Sequence, residues 1–112
     1  MSRSFRDFIA VAEQQGLLRR VTQAVDVSWE PACLAKWAFQ ALPDKDRFGL
    51  LFDNVKGSDL TLCTGALGAS RQAYALALDV EPEQINAQWE NALVNPLKPV
   101  TVENAPCQEV VL

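Results

Sequence analysis

The sequence predicts an α/β fold in which helices pack on a small mixed sheet. Apolar residues recur at helical spacing in four segments, and short apolar or β-branched runs lie between or after those segments. Glycine, proline, Asp and Asn separate the two kinds of segment, as expected at turns and helix ends. With 112 residues, 49% of them apolar and 21% charged, residues 1–112 are expected to form one domain with one hydrophobic core.

The first helix is predicted to begin after Ser4. Ser4 followed by Asp7 is similar to a capping box, in which a hydroxyl accepts a hydrogen bond from the first turn of the helix. Gly16 ends this helix, because glycine readily adopts the conformation that follows a last turn. Residues 17–21 then form a short strand with its two adjacent arginines on opposite faces. The apolar residues of the helix are Phe5, Phe8, Ile9 and Ala12.

The second helix is predicted to begin within residues 26–30. Ser28 is the candidate N-cap, and Pro31 lies in the first turn, where its missing N–H removes no hydrogen bond. Pro43 ends the helix. The predicted apolar face consists of Leu34, Trp37, Ala38 and Ala41.

The three tryptophans are divided between core and surface. Trp37 and Trp89 fall on helical apolar faces, so the pattern predicts that both pack in the core. Trp29 precedes its helix, and we expect it to be partly exposed, where a second domain would cover it.

A strand-turn-strand unit is predicted in the middle of the chain. Residues 48–52 and 60–64 are the strands, and the turn between them contains Gly57, which reaches positive φ without a steric cost. Asp53 and Asp59 flank this glycine, and their spacing does not fit a calcium loop, so they are assigned turn-stabilising roles.

The second half of the chain continues with two helices. A glycine turn leads into a helix over residues 70–78, and Pro82 lies early in a last helix. The apolar residues of that last helix are Ile85, Trp89 and Ala92. Pro96 and Pro99 exclude regular structure after it. The β-branched or apolar segments 100–103 and 109–112 are predicted to be strands.

Charge and hydropathy exclude several classes of protein. A net charge of -4 argues against a nucleic-acid-binding protein, which needs clustered Lys and Arg. The longest uninterrupted apolar run, residues 73–78, is too short to cross a bilayer. The amino-terminal apolar segment is interrupted by Arg6 and Asp7 and does not fit a signal peptide, so we expect a cytoplasmic protein.

The cysteine and histidine counts limit the chemistry. Cys33, Cys63 and Cys107 are too far apart in sequence for a zinc site, and their odd number does not fit a closed disulfide framework. They are predicted to be buried free thiols. The chain contains no histidine, which removes the commonest general base and the commonest metal ligand.

Two other patterns leave a functional alternative open. The glycine turn 65–70 before a helix is interpreted as a turn with a helix cap, and anion binding at the helix N-terminus is the alternative. The acidic clusters, Asp44 with Asp46 and residues 79–83, are interpreted as solvated faces or partners of helix dipoles. A small catalyst that uses only these carboxylates is the weaker alternative.

In order and spacing, the motifs of this chain resemble the amino-terminal domain of UbiD-family decarboxylases. The similar segments are Phe-Arg-Asp-Phe at 5–8, Glu-Gln-Gln-Gly at 13–16, the basic strand 17–21, Leu-Leu-Phe-Asp-Asn-Val-Lys-Gly-Ser at 50–58, Gly-Ala-Leu-Gly-x-Ser-Arg at 65–71 and Ala-Pro-Cys-Gln-Glu-Val-Val at 105–111.

The resemblance implies an enzyme whose reactive parts lie elsewhere. It implies a following split β-barrel domain that binds prenylated FMN, a carboxy-terminal dimerisation domain, and reversible decarboxylation of aromatic or α,β-unsaturated carboxylic acids. It also implies a Glu-Arg-Glu set for proton transfer, and a divalent metal (Mn) with K at the cofactor phosphate. None of these groups maps onto this sequence, so no catalytic, cofactor-binding or metal-binding residue is assigned to it.

We therefore expect the 112-residue chain to be inactive alone and to act with the remaining domains or with a second chain. Its apolar end at 110–112 gives the expectation of a truncated or split polypeptide. The alternative is a free-standing interaction module derived from the same domain. Homo-oligomers are expected only for the complete enzyme.

Overall fold

Three short strands form a mixed sheet, as the sequence predicts. The computed structural model describes residues 4–105 and residue 107. Strand β1 is Leu18–Val21, β2 is Gly49–Phe52 and β3 is Leu62–Thr64. Strand β2 is central, and it pairs in parallel with β1 and antiparallel with β3. The predicted strands at 17–21, 48–52 and 60–64 are thus confirmed with slightly later starts.

The described part of the chain has four helices at the predicted places. Helix α1 is Phe5–Gln14, α2 is Glu30–Ala41, α3 is Arg71–Leu78 and α4 is Ile85–Val94. Single 3₁₀ turns, Asp44–Asp46 and Pro82–Gln84, precede β2 and α4. Because β1 and β2 are parallel, the chain crosses back between them through α2.

Apolar side chains cover both faces of β2, so all four of its residues are buried. On one face Leu51 packs with Leu18 of β1 and with Phe8 and Ala12 of α1. The cluster on the other face consists of Val25, Phe48, Leu50, Phe52 and Val55, with Leu42 from the end of α2 packed against it. The helices therefore hold the sheet from two sides.

The predicted cap of α2 is wrong. Trp29 occupies the N-cap position and makes no side-chain cap hydrogen bond. Ser28 instead donates its backbone N–H to Asp26 Oδ1 at 2.8 Å, and the Glu30 carboxylate accepts from the Asp26 N–H. Asp26 forms a local turn with its own backbone, which displaces the helix start by one residue.

The predicted apolar face of α2 is also wrong, except at Ala38, which is fully buried. Trp37 is 54% exposed, and Leu34 and Ala41 are exposed as well. The helix approaches β3 so closely that a Cβ on Gly65 would lie 2.6 Å from Cζ of Phe39. The side of α2 that meets the sheet is centred on Ala38 and the half-buried Phe39, and Trp37 lies outside this contact.

Trp89 is 48% exposed, which contradicts its predicted place in the core, whereas the expected exposure of Trp29 is confirmed at 76%. The predicted burial of Cys33 and Cys107 is wrong, because both are exposed. Cys63 on β3 is half-buried, and this burial raises the pKa of its thiol.

After α4 the chain runs without regular structure. Residues 100–103 are not a strand, and Val100 is 85% exposed because no neighbouring strand of the described part pairs with it. The predicted strand 109–112 lies outside the described residues. Within the described ranges, no helix combines the length and hydropathy needed to cross a membrane.

Candidate functional site

The glycine turn before α3 is built as a helix cap. Ser70 is buried, and its Oγ accepts a hydrogen bond from the Ala73 N–H at 3.1 Å. The Asp44 carboxylate lies across the same helix start, where Oδ2 accepts from the Arg71 N–H at 3.4 Å. A fixed negative charge thus faces the positive end of the α3 dipole, which is the position that a bound anion would need. The structure favours the cap over anion binding.

A groove of about 310 Å³ lies beside this cap. Asp44, Ser70, Arg71, Tyr74 and Asn86 contribute its polar side chains. Among the described residues its one cation is Arg71, whose Nη2 donates to the carbonyl oxygen of Pro82 at 3.0 Å. The carboxylate of Asp44 lies in the same groove, so a phosphate there would meet one positive and one negative side chain.

A second groove, of about 350 Å³, lies between α3 and the turn that leads to α4. Its acidic residues have structural roles: Asp79 ends α3 in the left-handed conformation at φ 59°, and Glu81 forms a capping box with Gln84. Among the described residues, no Lys or Arg lines this groove. The interpretation as a partner of a helix dipole fits Glu81 at a helix start, whereas Asp79 lies at the C-terminal end of α3, where a carboxylate does not pair with the dipole.

The third groove, of about 400 Å³, lies beside α2 and contains Cys33 and Glu30. The Glu30 carboxylate is hydrogen-bonded to the Asp26 N–H. Among the described residues no Lys or Arg lines it, so the Cys33 thiol has no cationic neighbour in this groove.

The strongest polar cluster in the described part is an ion network that sequence reasoning missed. Arg20 Nε and Nη2 donate to the two carboxylate oxygens of Glu13 at 2.7 and 2.8 Å, and Nη1 donates to Asp53 Oδ1 at 2.6 Å. Asp53 was assigned to the turn, yet its side chain reaches across to β1. These hydrogen bonds from Arg20 lower the pKa of Glu13, and both carboxylates raise the pKa of Arg20.

This network has a structural and not a catalytic role. Its three side chains remain between 32% and 41% exposed, and each charge has an opposite partner. Catalytic carboxylates need environments that separate their pKa values, which paired surface ions do not provide. The sequence clue was the alternation of β1, which places Arg20 on the same sheet face as Leu51 and therefore near the end of α1.

The described residues do not fit the phosphate end of a flavin cofactor. In the described lining of these three grooves the one cation is Arg71, and the Asp44 carboxylate lies beside it and opposite the α3 N-terminus, where it would repel a phosphate. Over the ranges that the structure describes, no cluster of three or more Cys, Asp or Glu is arranged to hold a metal.

Comparison with known proteins gives a consistent family. Residues 9–93 match the family UbiD_N, described as the 3-octaprenyl-4-hydroxybenzoate carboxy-lyase N-terminal domain. The chain is 35% identical over 100 residues to the uncharacterized protein sll0936 of Synechocystis, covering 88% of this chain and 19% of that protein. It is 30% identical over 118 residues to the phenolic acid decarboxylase of Sedimentibacter hydroxybenzoicus, covering 98% and 24%.

Solved structures give the same result. An evolved dimeric form of HmfF from Pelotomaculum thermopropionicum, in complex with prFMN, matches with a TM-score of 0.72 and 35% identity over 87% of this chain and 21% of that one. The closed form of vanillic acid decarboxylase from Sedimentibacter hydroxybenzoicus matches with a TM-score of 0.73 and 28% identity, covering 100% of this chain and 24% of that one. The chain thus spans about a fifth to a quarter of the length of these relatives.

Proposed function

The chain belongs to the UbiD amino-terminal domain family, and on that premise we propose that it serves as the amino-terminal domain of a UbiD-like carboxy-lyase. The complete enzyme would reversibly decarboxylate aromatic or α,β-unsaturated carboxylic acids with prenylated FMN. The single observation that carries this proposal is the match of residues 9–93 to the family. Its support is that the matched relatives include decarboxylases and an enzyme in complex with prFMN.

Within that enzyme the role of this chain is scaffolding. Its grooves do not suit a flavin phosphate, and its strongest ion network is already paired. The chain packs against the flavin-binding split β-barrel and helps to shape or close the active-site cleft. The flavin, the divalent metal (Mn) and K are then held by the remaining polypeptide, in a cytoplasmic enzyme that forms homo-oligomers when complete.

A domain exchange tests this proposal. The segment of the Sedimentibacter hydroxybenzoicus phenolic acid decarboxylase that matches this chain is replaced by residues 1–112. We expect the chimera, supplied with prenylated FMN, to retain the flavin and to release CO2. The isolated 112-residue chain, treated in the same way, should retain no chromophore and release no CO2.

The matched control is a chimera with Phe52→Asp, which places a charge in the fully buried centre of the sheet and should abolish folding and turnover. Flavin retention by the isolated chain would contradict the scaffolding role. A folded wild-type chimera without flavin and without turnover would favour the free-standing interaction module instead.

A further inference from the structure

Helix α4 buries little of its surface against the described part of the chain. Of its ten residues only Ile85, at the first position, is buried, and residues 86–94 are all exposed. Isolated helices of this length are marginal in water, and protein helices usually gain their stability by burying an apolar face. A helix that buries one residue therefore needs a further packing partner.

The contacts that hold α4 lie mainly near its start. The capping box of Glu81 and Gln84 fixes the turn before it. Farther along, the Trp89 Nε1–H donates to Tyr74 Oη at 3.0 Å, which ties the middle of α4 to α3. Because this hydrogen bond uses only the edge of the indole, Trp89 stays 48% exposed.

The exposed large apolar residues of this region continue beyond the helix. We define the α4–tail surface as Trp89, Leu93, Val94, Leu97 and Val100, whose exposures rise from 48% to 95%. Only Glu90 and Lys98 carry a charge between residues 89 and 100. Single exposed apolar residues are ordinary, but a concentration of them with so little charge marks an interaction surface.

We propose that the α4–tail surface is the docking surface for the next domain of the decarboxylase, the one that follows this segment along the polypeptide. This inference rests on the proposed function and names the partner of the scaffold. The apolar composition of the surface fits the buried core of a permanent interface rather than its polar rim.

One observation and one general rule of chain topology favour this occupant. The match to the closed form of vanillic acid decarboxylase covers 100% of this chain, including the tail that follows α4 from residue 95 on. It covers only 24% of the decarboxylase chain, which is thus about four times as long. The tail of this chain thus has a counterpart within a larger polypeptide. Segments consecutive in sequence are usually neighbours in space, so the domain that continues from the tail is the one within reach.

The surface around the exposed tryptophans at the start and in the middle of α2 is a weaker candidate for the docking surface. Helix α2 already packs on β2 and β3 and buries Ala38 completely. Trp29 and Trp37 therefore belong to a helix that packs on the sheet, whereas the contacts of α4 are with the turn before it and with Tyr74 of α3.

Thiol labelling tests the proposal in the isolated chain and in the chimera described above. Both proteins first carry Cys33→Ser and Cys107→Ser, which remove the two exposed native thiols. Leu97→Cys then places a probe on the α4–tail surface, and Leu60→Cys places a control on the connection between β2 and β3. These leucines are 95% and 77% exposed. We expect maleimide to label both rapidly in the isolated chain. In the chimera, labelling at Leu97→Cys should slow by about tenfold or more, while labelling at Leu60→Cys should not change.

A second pair of variants tests the consequence for activity. Leu93 and Leu60 are both 77% exposed, so neither Leu93→Glu nor Leu60→Glu should change the thermal midpoint of the isolated chain appreciably. In the chimera, Leu93→Glu should lower turnover and flavin retention by about tenfold, because it places a charge in an apolar contact. Leu60→Glu should leave both unchanged.

The outcomes separate the two proposals. The docking surface is overturned if, in an active chimera, Leu97→Cys is labelled as fast as Leu60→Cys and Leu93→Glu has the same turnover and flavin retention as Leu60→Glu. That result leaves the proposed function intact. A folded but inactive wild-type chimera counts against the proposed function, and its labelling rates still decide whether the surface is covered. Protection of Leu97→Cys in the isolated chain that grows with concentration would assign the surface to a second copy instead.

Discussion

Position 65 requires glycine because of its backbone angle and because the ring of Phe39 lies close to it. Its φ is +68°, and a Cβ at this position would lie 2.6 Å from Cζ of Phe39. We expect Gly65→Ala to lower the free energy of unfolding by about 2 kcal/mol, because the substitution adds both left-handed strain and a clash. Urea unfolding followed by circular dichroism measures this change.

Gly68 provides the control, since it lies three residues away and a Cβ there would meet nothing within 4 Å. Gly68→Ala should change the free energy of unfolding by no more than about 0.5 kcal/mol. Similar losses for the two variants would show that the contact with Phe39 does not limit the packing of α2.

The two glycines show where prediction at the level of residues stops. Both belong to the same predicted turn and look alike in the sequence. Gly65 differs from Gly68 in its positive φ and in the approach of Phe39, which is remote in sequence. Arg20 is a similar case, because its alternation on β1 was predicted whereas its two carboxylate partners depend on how α1 and β2 are placed.

At the level of elements, the N-cap of α3 gives a prediction that also tests the corrected start of α2. Ser70→Ala removes the hydrogen bond from the Ala73 N–H and should lower the free energy of unfolding by about 1 kcal/mol. Ser28→Ala, at the position wrongly predicted to be a cap, should cost clearly less because its Oγ caps no helix. Thermal unfolding of the two variants under identical conditions makes the comparison. A larger loss for Ser28→Ala would contradict the assigned helix start.

Helix positions were predictable and helix faces were not. The caps of α1 and α3 depend on a serine and on a backbone N–H three residues later, so the local sequence determines them. The buried face of a helix depends on what packs against it. The outward positions of Trp37 and Trp89 therefore followed from tertiary contacts that periodicity does not contain.

At the level of the whole molecule, the network of Glu13, Arg20 and Asp53 should make stability depend on pH. Arg20 lowers the pKa of Glu13 in the folded state below the ordinary glutamate value of about 4.3. The ion pair of Glu13 therefore contributes fully to the free energy of unfolding above that pH. This contribution is lost as the pH falls through the lowered pKa of the folded state. Relative to the wild type, Glu13→Gln should lower the thermal midpoint at pH 7, and the difference should shrink towards pH 3.

The control for this series is Glu90→Gln on α4, whose carboxylate is exposed. Its thermal midpoint should follow that of the wild type across the same pH range. A difference between Glu13→Gln and the wild type that stays constant from pH 7 to pH 3 would mean that the charge of Glu13 does not stabilise the fold. Added salt should reduce the effect at pH 7, since the network is partly exposed.

The family resemblance followed from the sequence because its motifs extend along almost the whole chain, and the family match confirms it. The grooves and the α4–tail surface could not be predicted from the sequence. They arise where elements that are distant in sequence meet, or where an element lacks a neighbour, and neither condition leaves a local pattern.

The parallel pairing of β1 and β2 has a consequence during protein synthesis. The paired strands are separated by the whole of α2, so β1 cannot enter the sheet until β2 has left the ribosome. Within the described residues the last strand ends at Thr64, and α3, whose Leu76 packs on the same face of the sheet as α1, follows after the glycine turn. The three strands and helices α1 to α3 can therefore assemble before α4 emerges.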